Sequence, residues 1–336
     1  MKEAMFYQKL KGNKLRCNLC HHRCVISEGK RGICQVKENR KGVLCSLVYG
    51  KVVASNVDPI EKKPLFHFYP GSIAYSIATV SCNFHCLHCQ NWRISQVKNG
   101  IVGKDITPDN IVKNAINNSC QSIAYTYTEP TIFYEYAYDI TKIAHGKGLK
   151  NLFITNGYIS EQALKKISPY LDAANIDLKS MSNGFYKKVC GAKLQPVLDN
   201  IKLYYDLSIW MEITTLIIPG YNDDSDGLKR IAEFITNIDA SIPWHVTGFF
   251  PAYKLNDVSP TSVETLRKAV KIGRKAGLEY VYQGNINGGE NTYCPQCGEL
   301  LIERDDFSIT LKNIKNEFCP YCGKHIAGKG MRKNRE

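Results

Sequence analysis

Cys82, Cys86 and Cys89 stand in a CxxxCxxC run, SCNFHCLHCQNW, that follows the apolar stretch SIAYSIATV. Three thiolates are one fewer than an iron–sulfur cube takes, which leaves one iron open to a small molecule. An open position separates a catalytic metal centre from a closed structural one. The bland readings of the same spacing are chance clustering or a zinc shared with a distant residue. His85 and His88 lie inside the run, and a three-thiolate cube requires neither.

Two further cysteine sets are complete in themselves. Cys17, Cys20, Cys24 and Cys34, in CNLCHHRC followed by VISEGKRGIC, fit one tetrahedral site, with Gly29 and Gly32 where sharp turns are needed. Zinc would make this set a structural knuckle, and a second iron–sulfur cluster would make it an electron relay or a substrate anchor. Spacing leaves both open, with His21, His22 and Cys45 as substitute ligands. Cys294, Cys297, Cys319 and Cys322 stand in CPQCG and CPYCG, paired knuckles that predict a closed zinc ribbon. The chain has 14 cysteines and no export signal, and their grouping argues for metal thiolates over disulfides.

The elements that must carry these sites follow from periodicity. Between residues 71 and 290, apolar β-branched runs alternate with helical patterns, which predicts an α/β fold of repeated βα units around a parallel sheet. Strands are predicted at SIAYSIATV, QSIAYTYTE, KNLFITN, AANIDLK, WMEITTLII, WHVTGFF and EYVYQGN. Helices are predicted at TPDNIVKNAI, ISEQALKKI, SDGLKRIAEFI and SPTSVETLRKAVKIGRKAG, each opened by a capping residue. Such units make a full or partial barrel, whose catalytic groups gather where strands end. Residues 1–70 then form a cysteine-rich metal-binding segment, 71–290 the core barrel, and 291–336 the ribbon-like knuckle with the basic tail GKGMRKNRE.

Composition narrows the partners. At 336 residues, 44% hydrophobic and 22% charged, the chain reads as an ordinary globular protein. No apolar run approaches membrane-spanning length, and MKEAMFYQKLKGNK precedes no signal-peptide core, so the cytoplasm is the expected address and no membrane is an expected partner. The formal charge of +13 falls to roughly +8 once a thiolate cube and two four-cysteine sites are assembled. Dispersed lysines and the lack of a nucleic-acid motif argue against nucleic acid as a partner.

The run CNFHCLHCQNW resembles the cluster loop of the radical S-adenosylmethionine (SAM) superfamily, marked by this three-cysteine spacing after the first strand of a partial barrel. Within it the chain is similar to the branch related to pyruvate formate-lyase activating enzymes, and more so to the radical enzymes of the AmmeMemoRadiSam system. The likeness rests on CNLCHHRCVISEGKRGIC, SLVYGK, DPIEKKPLFHFYPGS, YTYTEPTIFYEY, NIDLKS, ITTLIIPGYND and YQGNINGGENTYCPQCG, in order along nearly the whole chain. It implies a partial (β/α)6 TIM-like radical SAM barrel, with an N-terminal cysteine-rich segment and a C-terminal zinc ribbon.

By resemblance, Cys82, Cys86 and Cys89 hold a 4Fe–4S cluster whose open iron is chelated by the amino and carboxylate groups of S-adenosylmethionine. A cluster within the roughly −700 to +450 mV span of such centres passes an electron to the sulfonium, giving methionine and a 5′-deoxyadenosyl radical. Thr128 and Glu129 occupy the place of the superfamily's glycine-rich motif, which meets the amino group; here tyrosine and threonine replace the glycines. Asn156, Asp177 and Lys179 match positions that grip the ribose hydroxyls and the carboxylate, and an ion pair at the strand end is the alternative. Glu212 and Thr214 alternate on the fifth strand and share a face, while His245 matches a residue that meets the ribose. His88 replaces an aromatic next to adenine. No catalytic residue is assigned beyond these ligands. Tyr125, Tyr127, Tyr134, Tyr136 and Tyr138 are expected in the core more than in a radical relay.

The leading expectation is a radical SAM enzyme that abstracts hydrogen from a substrate the sequence does not identify. An activating enzyme that installs a glycyl radical on a partner protein is the nearest alternative, and a non-catalytic iron–sulfur or zinc scaffold belongs to another class. A flavodoxin or ferredoxin is expected as electron donor, with a protein substrate or other members of the AmmeMemoRadiSam system as further partners.

Overall fold

In the computed structural model the described residues are 1–97, 100–286 and 288–332. The last four residues of the basic tail therefore lie outside them, as does position 287 within YQGNINGGENTYCPQCG. The core is one eight-stranded sheet. Its strands are β1 (Ala54–Pro59), β2 (Ile73–Ala78), β3 (Ser122–Tyr125), β4 (Lys150–Thr155), β5 (Ala173–Asp177), β6 (Trp210–Ile217), β7 (Trp244–Gly248) and β8 (Val281–Gly284). From β2 to β8 neighbours are sequential and parallel, and β1 runs antiparallel along the outer edge of β2. Among the described residues no ladder joins β8 to β1, so the sheet is an open, partial barrel.

Each predicted strand lies in this sheet. β3 and β7 are buried along their whole length, as near-continuous apolar runs should be when helices cover a parallel sheet. The sheet also takes β1 from the segment assigned to the N-terminal block, so it begins before residue 71. This strand is mostly exposed and reads ASNVDP, which carries little strand signal.

The outer helices are α1 (Pro108–Asn117), α2 (Tyr134–Gly146), α3 (Glu161–Ile167), α4 (Gln195–Asp206), α5 (Ser225–Thr236) and α6 (Val263–Lys275). Side chains of Thr107, Ser160, Asp224 and Ser262 accept the first free N–H groups of α1, α3, α5 and α6. Each such cap contributes about 1 kcal/mol and fixes where the chain leaves a loop to cover the sheet.

The N-terminal block is two small antiparallel sheets packed on one flank of the barrel. Their attachment includes an ion pair between Lys37 and Glu135, both fully buried, and backbone bonds from His21 to Tyr158 (3.1 Å) and from Ser160 to Leu19 (2.9 Å). The C-terminal ribbon, β9 (Thr292–Tyr293), β10 (Leu300–Asp305) and β11 (Ser308–Lys312), shares a second apolar cluster with Phe66, Tyr280 and Tyr282. Arg304 on β10 donates to the Phe66 carbonyl at 2.9 Å, and the chain near its end bonds residues 67–69 through Ala327 and Lys329. No helix among the described residues is long and apolar enough to cross a membrane.

Candidate functional site

At the C-terminal end of β2 the backbone turns sharply at Ser81, whose φ of +84° is a conformation few side chains adopt. Its N–H donates to Ile94 (2.7 Å) and its hydroxyl to the Cys34 carbonyl (2.6 Å), so both ends of the turn are tied. The turn delivers Cys82, Cys86 and Cys89 to one cleft of about 670 Å3 across the strand ends. Strain recurs across that mouth at Tyr127, after β3, with φ +61°.

Donors already surround the three thiols. Phe84 N–H approaches Cys82 Sγ at 3.3 Å, and the Ser95 hydroxyl lies 3.0 Å from Cys89 Sγ. Asn156 Nδ2 donates to Asn83 Oδ1 at 2.8 Å and lies 3.8 Å from Cys82 Sγ. A hydrogen bond from the Cys190 thiol draws the Cys86 pKa down, against burial and with help from Lys179. Cys82, in contrast, is pushed up by burial and by Glu129, so it becomes a thiolate only with a cation to neutralise it.

The cleft brings together Thr128, Glu129, Asn156, Asp177 and Lys179, at the ends of β3, β4 and β5, and His245, near the start of β7. Their engagement differs. Glu129, fully buried, accepts from Thr131 N–H (3.0 Å), Thr131 and Thr155 hydroxyls (2.5 and 2.8 Å) and Asn156 N–H (2.8 Å), so most of its capacity is spent inside the protein. Burial raises its pKa, and those donors only partly offset the rise. Thr128 donates to the Thr79 carbonyl at 3.0 Å. Asp177 and Lys179 pair with each other at 2.7 Å. Burial works against the Lys179 ammonium, yet Asp177 and the thiols of Cys86 and Cys190 outweigh it and hold its pKa well above a free lysine's.

Glu212 is not part of the cleft wall. It is fully buried, takes Phe66 and His67 N–H at 3.0 and 2.8 Å, and receives His245 Nε2 at 2.7 Å. It acts on the mouth through His245, whose Nε2 is engaged and whose ring lines the cleft. Thr214, two residues further along β6, does reach the cleft.

Sequence reasoning missed several residues here. Lys63 lies 4.6 Å above the Tyr127 ring and 2.6 Å from Asp58, which also accepts the Tyr127 hydroxyl. Burial pushes Lys63 down to about 8 despite Asp58. Tyr127 is thus a mouth residue, while Tyr125, Tyr134 and Tyr136 are core as expected. Cys190 carried no spacing signal at all. Three buried polar atoms in the cleft wall, Glu61 Oε2, Thr214 Oγ1 and His88 Nδ1, have no protein partner. Such orphans are costly unless a ligand satisfies them, so the wall fits a polar small molecule beside the three thiols.

The other cysteine sets differ from one another. Cys294 to Cys322 and Cys297 to Cys319 approach at 3.5 and 3.7 Å, and all four sulfurs lie within 4.8 Å of one another. Zinc–sulfur bonds of about 2.3 Å in a tetrahedron set edges near 3.8 Å, so this group fits a single ion. Cys17, Cys20, Cys24 and Cys34 instead surround a small pocket of about 20 Å3, with His22 in its wall and neither His21 nor Cys45.

Residues 76–234 match the family described as the radical SAM superfamily. An uncharacterized protein of Methanocaldococcus jannaschii is 51% identical over 321 residues, covering 94% of this chain and 96% of its own. The pyruvate formate-lyase 1-activating enzyme of Escherichia coli strain K12 is 23% identical over 220 residues, 60% of this chain and 88% of that enzyme. Among solved structures, a radical SAM methyltransferase from Sphaerobacter thermophilus has a TM-score of 0.51 at 15% identity, covering 69% of this chain and 71% of that one. Streptococcus suis SuiB bound to S-adenosylmethionine has a TM-score of 0.52 at 11% identity, covering 67% and 53%. The last two are likenesses of fold.

Proposed function

The chain belongs to the radical SAM superfamily and is related to the pyruvate formate-lyase activating enzymes, and on that premise we propose that it cleaves S-adenosylmethionine reductively to abstract hydrogen from a substrate held in the cleft. The observation that carries this reading is three thiols opening on one polar cleft, with Thr214 and His88 unpartnered beside them. Cys82, Cys86 and Cys89 would hold a 4Fe–4S cluster. When bound, cluster and cofactor together supply one electron and a 5′-deoxyadenosyl radical.

The residues of the chain do the rest. Lys179 presents a fixed positive charge to the carboxylate, oriented by Asp177. His245, with Nε2 on Glu212, leaves Nδ1 as an acceptor for a ribose hydroxyl when the ring is neutral. Asn156 and Thr128 set the wall opposite, and Thr214 and His88 each have a polar atom to spend on the ligand. Lys63 and Tyr127 also line the cleft, both held by Asp58, and suit substrate contact. The ribbon would bind zinc. A low-potential flavodoxin or ferredoxin would donate the electron, in the cytoplasm.

The likeness to activating enzymes supports a second reading, in which the substrate is a glycyl residue of a partner protein, within or outside an AmmeMemoRadiSam system. Anaerobic reconstitution followed by dithionite and S-adenosylmethionine should yield 5′-deoxyadenosine, and none from Cys86→Ala. Absence of the product from the wild-type protein overturns the reading. Electron paramagnetic resonance of candidate partners separates the two substrates, since only an activating enzyme leaves a protein radical.

A further inference from the structure

We propose that Cys17, Cys20, Cys24 and Cys34 hold a second iron–sulfur cube, seated against the Cys82 loop, and not a structural zinc. The spread of the sulfurs carries this. One zinc draws four thiolates onto edges of about 3.8 Å, and the ribbon's cysteines stand at that spacing. No three of the N-terminal thiols come within 4.8 Å of one another, although all four face the same pocket. A cube puts each thiolate on a different iron, which requires this wider arrangement. Cys82, Cys86 and Cys89 share it, since they too form no such close group among the described residues.

The way the chain presents these cysteines agrees. The set has no CPxCG turn to fold two sulfurs onto one ion. Cys17 ends a strand and donates its N–H to the Cys24 carbonyl at 2.9 Å. Gly32 packs beside Cys24 and so near Ile26 that an added Cβ would lie 3.2 Å from Ile26 Cδ1. The buried Leu19, Ile26 and Ile132 shield the pocket from water, and Lys37, its charge paired with Glu135, completes the wall. An apolar sheath closed by a neutral ion pair suits a redox-active cluster, because solvent access sets its potential.

Position supplies the role. The Ser81 hydroxyl binds the Cys34 carbonyl, and His22 Nε2 meets the Asn83 carbonyl at 2.7 Å, so contacts flank Cys82 on both sides. Asn83 itself lines the N-terminal pocket. A low-potential one-electron donor protein reduces the N-terminal cube, which is reoxidised as the same electron passes to the neighbouring cluster; no bond forms and no proton moves.

The full chain, reconstituted anaerobically with iron and sulfide, should carry about eight irons and eight sulfides. A variant with Cys82, Cys86 and Cys89 all changed to alanine should keep about four irons with the Mössbauer signature of a cube, and Cys20→Ser/Cys24→Ser should lose about four. The dithionite-reduced wild type should give a resonance broadened beyond the sum of the two variants. About four irons and two zincs in the wild type, or a triple variant with zinc and no iron, overturns the proposal; spectra that simply add overturn the relay. Iron counting on wild-type protein needs no variant to fold, and it stands whether or not 5′-deoxyadenosine is formed.

Discussion

Changing Glu212 to glutamine tests whether this carboxylate fastens the mouth or meets the cofactor. Oε2 accepts from Phe66 N–H at 3.0 Å and His245 at 2.7 Å, and Oε1 from His67 N–H at 2.8 Å and the Trp210 indole at 3.2 Å. Glutamine keeps one acceptor and makes the other a donor. Whichever way its amide turns, Phe66 or His67 loses a buried partner, at about 1–3 kcal/mol, and the surviving bonds lose their charge. The total is roughly 2–4 kcal/mol, below the roughly 3–5 kcal/mol for breaking a buried pair outright. At roughly 2–4 °C per kcal/mol, Tm should fall by about 4–16 °C. Scanning fluorimetry under argon reads this, and hydrogen exchange should rise at residues 65–69. Burial raises the Glu212 carboxyl, but His245 and the backbone donors outweigh it and hold its pKa below normal. Stability of that kind is present above the unfolded pKa of about 4.3 and lost as pH falls through the folded value. The gap between wild type and Glu212→Gln should therefore narrow below about pH 4. An unchanged Tm with tenfold weaker S-adenosylmethionine binding would refute the reasoning and return Glu212 to the cofactor.

Other perturbations reach the remaining groups. Lys179→Met should weaken S-adenosylmethionine binding by about tenfold, roughly 1.4 kcal/mol, in equilibrium dialysis, since it removes the positive charge offered to the carboxylate and leaves Asp177 unpaired. Cys319→Ser should release about one zinc per chain by mass spectrometry and expose the apolar cluster of the ribbon to proteolysis. Burial, reinforced by Asp306, pushes the Glu290 carboxyl at the mouth up to about 7 despite Arg304. A raised carboxyl contributes stability below its unfolded pKa and loses it as pH rises through the folded value, so between pH 5 and 8 the wild-type Tm should fall relative to Glu290→Gln. Parallel melting curves that do not diverge would contradict that assignment.

The barrel was legible because its strands are buried on both faces and its helices carry their own stop and start signals. TPDNIVKNAI, for instance, contains the Thr107 cap and the proline at the first helical position. The cleft residues were legible through strand ends. What escaped depends on contacts between distant segments. Parity placed Glu212 and Thr214 on one face, yet Glu212 sits two residues, about 6.6 Å, deeper along β6, where Phe66 reaches it from 146 positions away. Tyr127 looked like its core neighbours until the backbone reversed beneath it at φ +61°. β1 is polar and exposed, so only its pairing with β2 reveals it.

Residues 66–69 are held by Arg304, Ala327 and Lys329, and this fastening imposes an order on biosynthesis. The cleft wall that includes Phe66 and Phe307 gains its final shape only after those groups leave the ribosome. Cys89 precedes Lys329 by about 240 residues, which at roughly 5–20 residues per second takes roughly 10–50 s. During that interval the nascent chain presents its cluster thiols in an unfinished wall, and iron delivery during translation would meet a wider entrance than delivery to the completed protein.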